Sequence, residues 1–87
     1  MDSSFHKMLD SARSAIVDQN PEEIQYVVLL WMKQVGIPCK DMESATEMLI
    51  RYGFKEQAAV VKNLEDQYYD LLNKRDDADF DAICKDF

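Results

Sequence analysis

Turn-forming residues are scarce in this chain, with two Gly and two Pro among 87 residues. A β-sandwich or small barrel turns about every 8–12 residues and draws on Gly and Pro to do so, and no segment alternates β-branched with polar residues. Both features exclude an all-β fold. Long apolar runs are missing too. The longest, Tyr26 to Met32, has seven residues, whereas a membrane-crossing helix needs roughly twenty. The first residues, Met1-Asp2-Ser3-Ser4-Phe5-His6-Lys7, lack the basic stretch and apolar core of a secretory signal, so a cytoplasmic location is expected. Cysteine is sparse: Cys39 and Cys84 have no metal-ligand spacing, and reduced thiols are expected rather than a disulfide. His6 is the one histidine, so any Ser-His-Asp or Cys-His chemistry would have to run through it. No nucleophile elbow or phosphate-cradling Gly motif accompanies it.

Positive charge is also short, with 10 Lys and Arg against 17 Asp and Glu, a net charge of −7. Five aspartates and one lysine give residues 76–87 a charge of −4, more than half of the excess. Phosphate backbones and anionic lipids are held mainly by Lys and Arg, so neither direct nucleic-acid binding nor membrane binding is expected.

What the chain does have is 47% apolar residues, too many for a disordered segment, arranged at helical spacing. Phe5, Met8, Leu9, Ala12, Ala15 and Ile16 share one face of a first helix that starts at a Ser3 or Ser4 cap and ends near Asp18. Asn20-Pro21-Glu22-Glu23 opens a second helix, with Asn20 as cap, Pro21 at the first helical position and Glu23 placed to close a capping box. It runs to about Val35, where Gly36 supplies a left-handed stop and Pro38 blocks re-entry. Ile24, Val27, Val28, Trp31 and Val35 form one face, while Tyr26, Leu29, Leu30 and Met32 make its other side apolar as well, the pattern of a helix surrounded by protein. Asp41 caps a third helix with Met42, Ala45, Met48, Leu49 and Tyr52 on one side, stopped at Gly53-Phe54. Val61, Leu64, Tyr68, Leu71 and Arg75 mark a fourth from Lys55 to about Arg75. Beyond it, Phe80, Ile83, Cys84 and Phe87 fall on one side of a further helix capped by Asp76 or Asp77. The expected fold is all-α: a small single-domain helical bundle of four main helices plus a short amphipathic C-terminal helix, with residues 1–87 as one unit and 76–87 as an acidic docking tail.

Several motifs suggest chemistry and each has a plainer reading. Asp77, Asp79 and Asp81 have the spacing that opens a calcium loop, but Ala82 stands where the sharp turn needs Gly, and the bidentate Glu is missing. A solvated acidic segment is the better description, and no metal or other cofactor is expected. His6 and Asp10, four apart, lack the orienting partner of a general base. Glu43 with Glu47, and Asp66 with Asp70, stack acid on acid as wet helix faces do. Residues 45–62 have a helix-turn-helix outline, yet Lys55 and Lys62 face Glu56, Glu65 and Asp66 instead of forming a basic stripe. The Tyr52-Gly53-Phe54 turn with Ala59 resembles the Gly-Phe loop of ubiquitin-associated domains over a short stretch. Those domains turn into a third helix soon afterwards, whereas this chain has no breaker before Arg75, so their ubiquitin-binding role is not carried across. Trp31 with Met8, Met32, Met42 and Met48 suits either an adaptable groove or a core.

The functional expectation is a non-enzymatic protein–protein interaction module: a small acidic regulator, adaptor or inhibitor that occupies a surface of another protein, with a homodimer as one form. The alternative is a nucleic-acid-mimicking inhibitor that blocks a basic cleft of a nuclease, polymerase or defence complex. Off-stripe aromatics and spare apolar residues mark the expected partner-binding positions: Tyr26, Leu30, Tyr69, Asp77, Asp79, Phe80, Asp81, Ile83 and Phe87.

Overall fold

The structure, a computed structural model, describes the backbone of residues 3–85 and the side chains of residues 3–75. Four helices follow one another: α1 (Ser3–Val17), α2 (Pro21–Gln34), α3 (Met42–Arg51) and α4 (Lys55–Lys85). No strand occurs among the described residues, and the all-α expectation holds.

Three helix ends close in the same way. After α1, the Asn20 N–H donates to the Ala15 carbonyl at 2.9 Å and the Gln19 N–H to Ile16 at 3.0 Å. Ile37 to Met32 (2.9 Å) with Gly36 to Lys33 (3.1 Å) repeat the pair after α2, and Phe54 to Leu49 (2.8 Å) with Gly53 to Ile50 (3.1 Å) after α3. Each pair satisfies carbonyls that a helix end leaves orphaned, and each requires one left-handed residue. Gly36 and Gly53 take it at φ 83° and 86°, but Gln19 does so at φ 55° with a side chain attached. Left-handed backbone costs an L-residue roughly 1–2 kcal/mol, against about 0.5–1 kcal/mol for the greater freedom glycine loses on folding. Gln19→Gly is therefore expected to stabilise the fold by about 0.5 kcal/mol or more. Gly36→Ala, whose new Cβ meets nothing within 4 Å, is expected to destabilise by about 1 kcal/mol through backbone strain alone. Urea denaturation of the two variants checks both signs.

The helix starts also follow the sequence, with two corrections. The Asn20 side chain accepts from the Glu23 N–H at 3.2 Å, and Asp41 accepts from the Ser44 N–H at 3.0 Å. Glu23 does not close a capping box, because the Asn20 amide it would need is already spent on Ala15. Ser3 and Ser4 lie inside the first turn of α1 rather than before it.

Helix α2 packs against each of the other three helices and buries Ile24, Val28, Trp31 and Met32. Alanines 12, 15, 45 and 58, all 3% exposed or less, let the neighbouring backbones approach closely. Met8, Met32 and Met42 are buried in the same cluster and fill the core, and of these Met8 also lines a small cleft between α1 and α2. Tyr52 leaves the expected face of α3: it is the helix's C-cap and is exposed.

The largest departure concerns the separate C-terminal helix: among the described residues no break sets one apart from α4. Helix α4 continues for 31 residues. No Gly or Pro lies between Lys55 and Lys85, and an aspartate costs a helix interior less than about 0.7 kcal/mol, too little to force a break. At 1.5 Å per residue α4 is about 46 Å long. The radius of gyration of 14.8 Å accordingly exceeds the about 12 Å of a compact chain of this size. Among the described residues no helix is long and apolar enough to cross a membrane.

Candidate docking face on helix α2

The core stripe of α2 accounts for only one of its apolar faces. Glu22, Gln25, Tyr26, Leu29, Leu30 and Lys33 recur every three or four residues on the other. Together with Gly36, Ile37, Pro38 and Cys39 of the following loop they line a groove of about 840 Å³. Tyr26 is 60% exposed and Leu30 39%, at the centre of a helix whose opposite side is sealed. The turn at Gly36 makes the groove concave: it folds the chain back so that Ile37 is buried and Pro38 and Cys39 stand beside the helix end.

Side chains from elsewhere hold the groove in shape. Tyr68 of α4 donates its hydroxyl to Gln25 Oε1 at 2.7 Å, tying α4 to the groove edge. Arg75 donates from both terminal guanidinium nitrogens to the two carboxylate oxygens of Glu22, one contact at 3.1 Å. That bidentate hydrogen bond, more than the accompanying charge attraction, lowers the Glu22 pKa from 4.5 to about 2. A lowered carboxylate pKa supports the fold above the unfolded value and loses that support as pH falls through the folded one, so this clamp persists until about pH 2. At the far end, the Cys39 thiol donates to the Asp41 carbonyl at 3.1 Å and lies 3.5 Å from Ser44 Oγ, anchoring the loop to the start of α3. Lys33 makes no ion pair among the described residues.

Of the residues expected from the sequence, the groove unites Tyr26 and Leu30. Tyr69 is separate, on α4 beside Tyr68, their rings 5.1 Å apart. Its phenol is raised above its usual pKa by desolvation first and by Glu43 and Glu65 after that, which places it over the α3–α4 seam. Asp77, Asp79, Phe80, Asp81 and Ile83 lie outside the residues whose side chains are described, and Phe87 lies outside the described residues altogether. Glu22, Gln25, Leu29, Lys33 and the loop 36–39 belong to the groove and were not expected as binding positions. The helical positions were signalled by the second stripe at 22, 25, 26, 29, 30 and 33; the loop was not.

Elsewhere several polar groups are matched within the fold. Glu65, 9% exposed, accepts from Thr46 Oγ1 at 3.0 Å. The acidic pairs expected as wet faces carry their own cations: Glu47 with Arg51, Asp66 with Lys62, and Asp70 with Lys74. Among the described residues no three His, Cys, Asp or Glu side chains converge. A smaller cleft of about 220 Å³ between α1 and α2 shares Leu30 with the groove and includes Trp31, whose buried Nε1 has no acceptor among the described residues. Compared with family models, with curated proteins and with solved structures, the chain matches none.

Proposed function

We propose that the protein acts without catalysis, as a docking module that occupies a surface of another protein chain through the outer face of α2. One observation supports this above the others: α2 is apolar on two sides, and the described residues cover only one. Exposed Tyr26 and Leu30 together with Leu29 form a contiguous apolar stripe in a concave site, rimmed by Glu22, Gln25 and Lys33. An apolar centre with an amphipathic aromatic and a charged rim is the usual anatomy of a protein interface. Cys39 as a free thiol fits a reducing, intracellular setting. The nucleic-acid mimic draws less support from residues 42–75, where Glu47, Asp66 and Asp70 pair with Arg51, Lys62 and Lys74 and interrupt the negative surface that would complement a basic cleft.

The test is photo-cross-linking in the producing cell, with a benzophenone amino acid placed at position 26 or 30. Exposed apolar Val17 and Ile50, which do not line the groove, serve as control positions. A discrete protein adduct from 26 and 30 and none from 17 and 50 is the expected result. Equal labelling from all four positions, or no adduct from 26, contradicts the proposal.

A further inference from the structure

We infer that the occupant of the α2 groove is a second copy of this chain, seated with its own α2 antiparallel across a two-fold axis. This rests on the docking role proposed for that face and adds the identity of what docks there.

A two-fold interface must be complementary to itself, residue i meeting j while j meets i. The outer face of α2 has that property. Glu22 and Lys33 stand at its two ends, both lining the groove, eleven residues or about 16 Å apart along the axis. With the two-fold axis passing between the Tyr26 and Leu29 positions, Glu22 meets Lys33 of the second copy, Tyr26 meets its Leu29, and Gln25 meets its Leu30. Every pairing then occurs twice. Each charge meets its opposite, and the apolar side chains fall at the centre where water is excluded. A parallel arrangement would set Glu22 on Glu22 and Lys33 on Lys33. Antiparallel packing also brings the positive N-terminal end of each helix beside the negative C-terminal end of the other.

Net charge points to the same face. Two molecules of charge −7 repel, and they meet at least cost where the surface is locally balanced. Residues 21–40 carry two acids and two bases, and the Glu22 carboxylate, although it holds Arg75, keeps 64% of its side chain exposed, open to a second cation such as Lys33 of the other copy. The carboxylate of Glu22 remains ionised down to about pH 2, keeping an anion at the position where Lys33 of the second copy would arrive.

Sedimentation equilibrium up to millimolar concentration provides the test. The wild type is expected to rise from 10.1 kDa toward twice that mass. Lys33→Glu keeps the Glu22–Arg75 clamp and sets two carboxylates against each other at both ends; it is expected to weaken the dimer roughly tenfold or more. Glu22→Lys is expected to weaken its own homodimer similarly. An equimolar mixture of the two variants restores opposite charges at both ends and is expected to associate about as strongly as the wild type. Circular dichroism of each variant establishes that it is folded, and Lys33→Glu alone decides the matter if Glu22→Lys is not. A wild type that stays at 10.1 kDa throughout, or a dimer indifferent to Lys33→Glu, overturns the inference. The failure modes separate on the cross-linking from position 26: an adduct with a protein of another mass overturns only the second copy, whereas no adduct at all removes the docking face as well.

Discussion

Trp31→Ala is expected to lower the unfolding free energy by about 4 kcal/mol, the usual range for emptying a buried aromatic site. Domains hold roughly 0.05–0.15 kcal/mol per residue, so this chain has about 4–13 kcal/mol in total and the variant loses from about a third to all of it. The effect is large because Trp31 joins two elements. It is 3% exposed and its ring lies 5.0 Å from that of Phe5, so the cavity opens under the contact that fastens α1 to α2. Trp31→Phe separates volume from polarity. The indole N–H is buried with no acceptor among the described residues, a state that costs about 1–3 kcal/mol, and phenylalanine removes it while keeping most of the packing. Its net effect is expected to stay within about 1 kcal/mol of wild type. Urea midpoints at unchanged m-value measure both, and a Phe variant as unstable as the Ala variant would show that the N–H is satisfied after all.

Tyr26→Asp is expected to do the reverse: to leave the fold intact and abolish association. Tyr26 is 60% exposed and off the core stripe, and surface substitutions of this kind stay within about 0.5 kcal/mol. As the aromatic at the centre of the docking face it is the natural anchor, and loss of an anchor costs at least about 2 kcal/mol of binding, roughly 30-fold in affinity. An aspartate in an apolar seam adds a desolvation penalty to that loss. Urea denaturation at micromolar concentration reads the first half of the prediction and light scattering at millimolar concentration the second. A variant that unfolds would mean that Tyr26 belongs to the core.

The helices were legible because the few breakers in the chain mark real boundaries. Asn20-Pro21, Gly36, Asp41 and Gly53 each act as their chemistry requires. The left-handed turn at Gln19 was not, since nothing in a glutamine announces it. The break expected near Asp76 rested on a capping residue alone, and a cap starts a helix only where the chain has already left one; α4 had no reason to stop. At the candidate site, Tyr26 and Leu30 stood out as apolar residues off the core stripe, and the structure brings them together. Whether Tyr69 would join them depended on which side of α4 meets α2, and Tyr68, bonded to Gln25, takes that side instead. The loop from Gly36 to Cys39 has no periodicity of its own, and only the turn that buries Ile37 brings it beside α2.

A dilution series of amide-labelled protein followed by NMR tests most directly whether the outer face of α2 is an interface between two copies of this chain. The expected result is concentration-dependent shifts concentrated at Glu22, Tyr26, Leu29, Leu30, Lys33 and the loop 36–39, with Val17 and Ile50 unchanged. Spectra identical at all concentrations, or shifts centred away from α2, would contradict it.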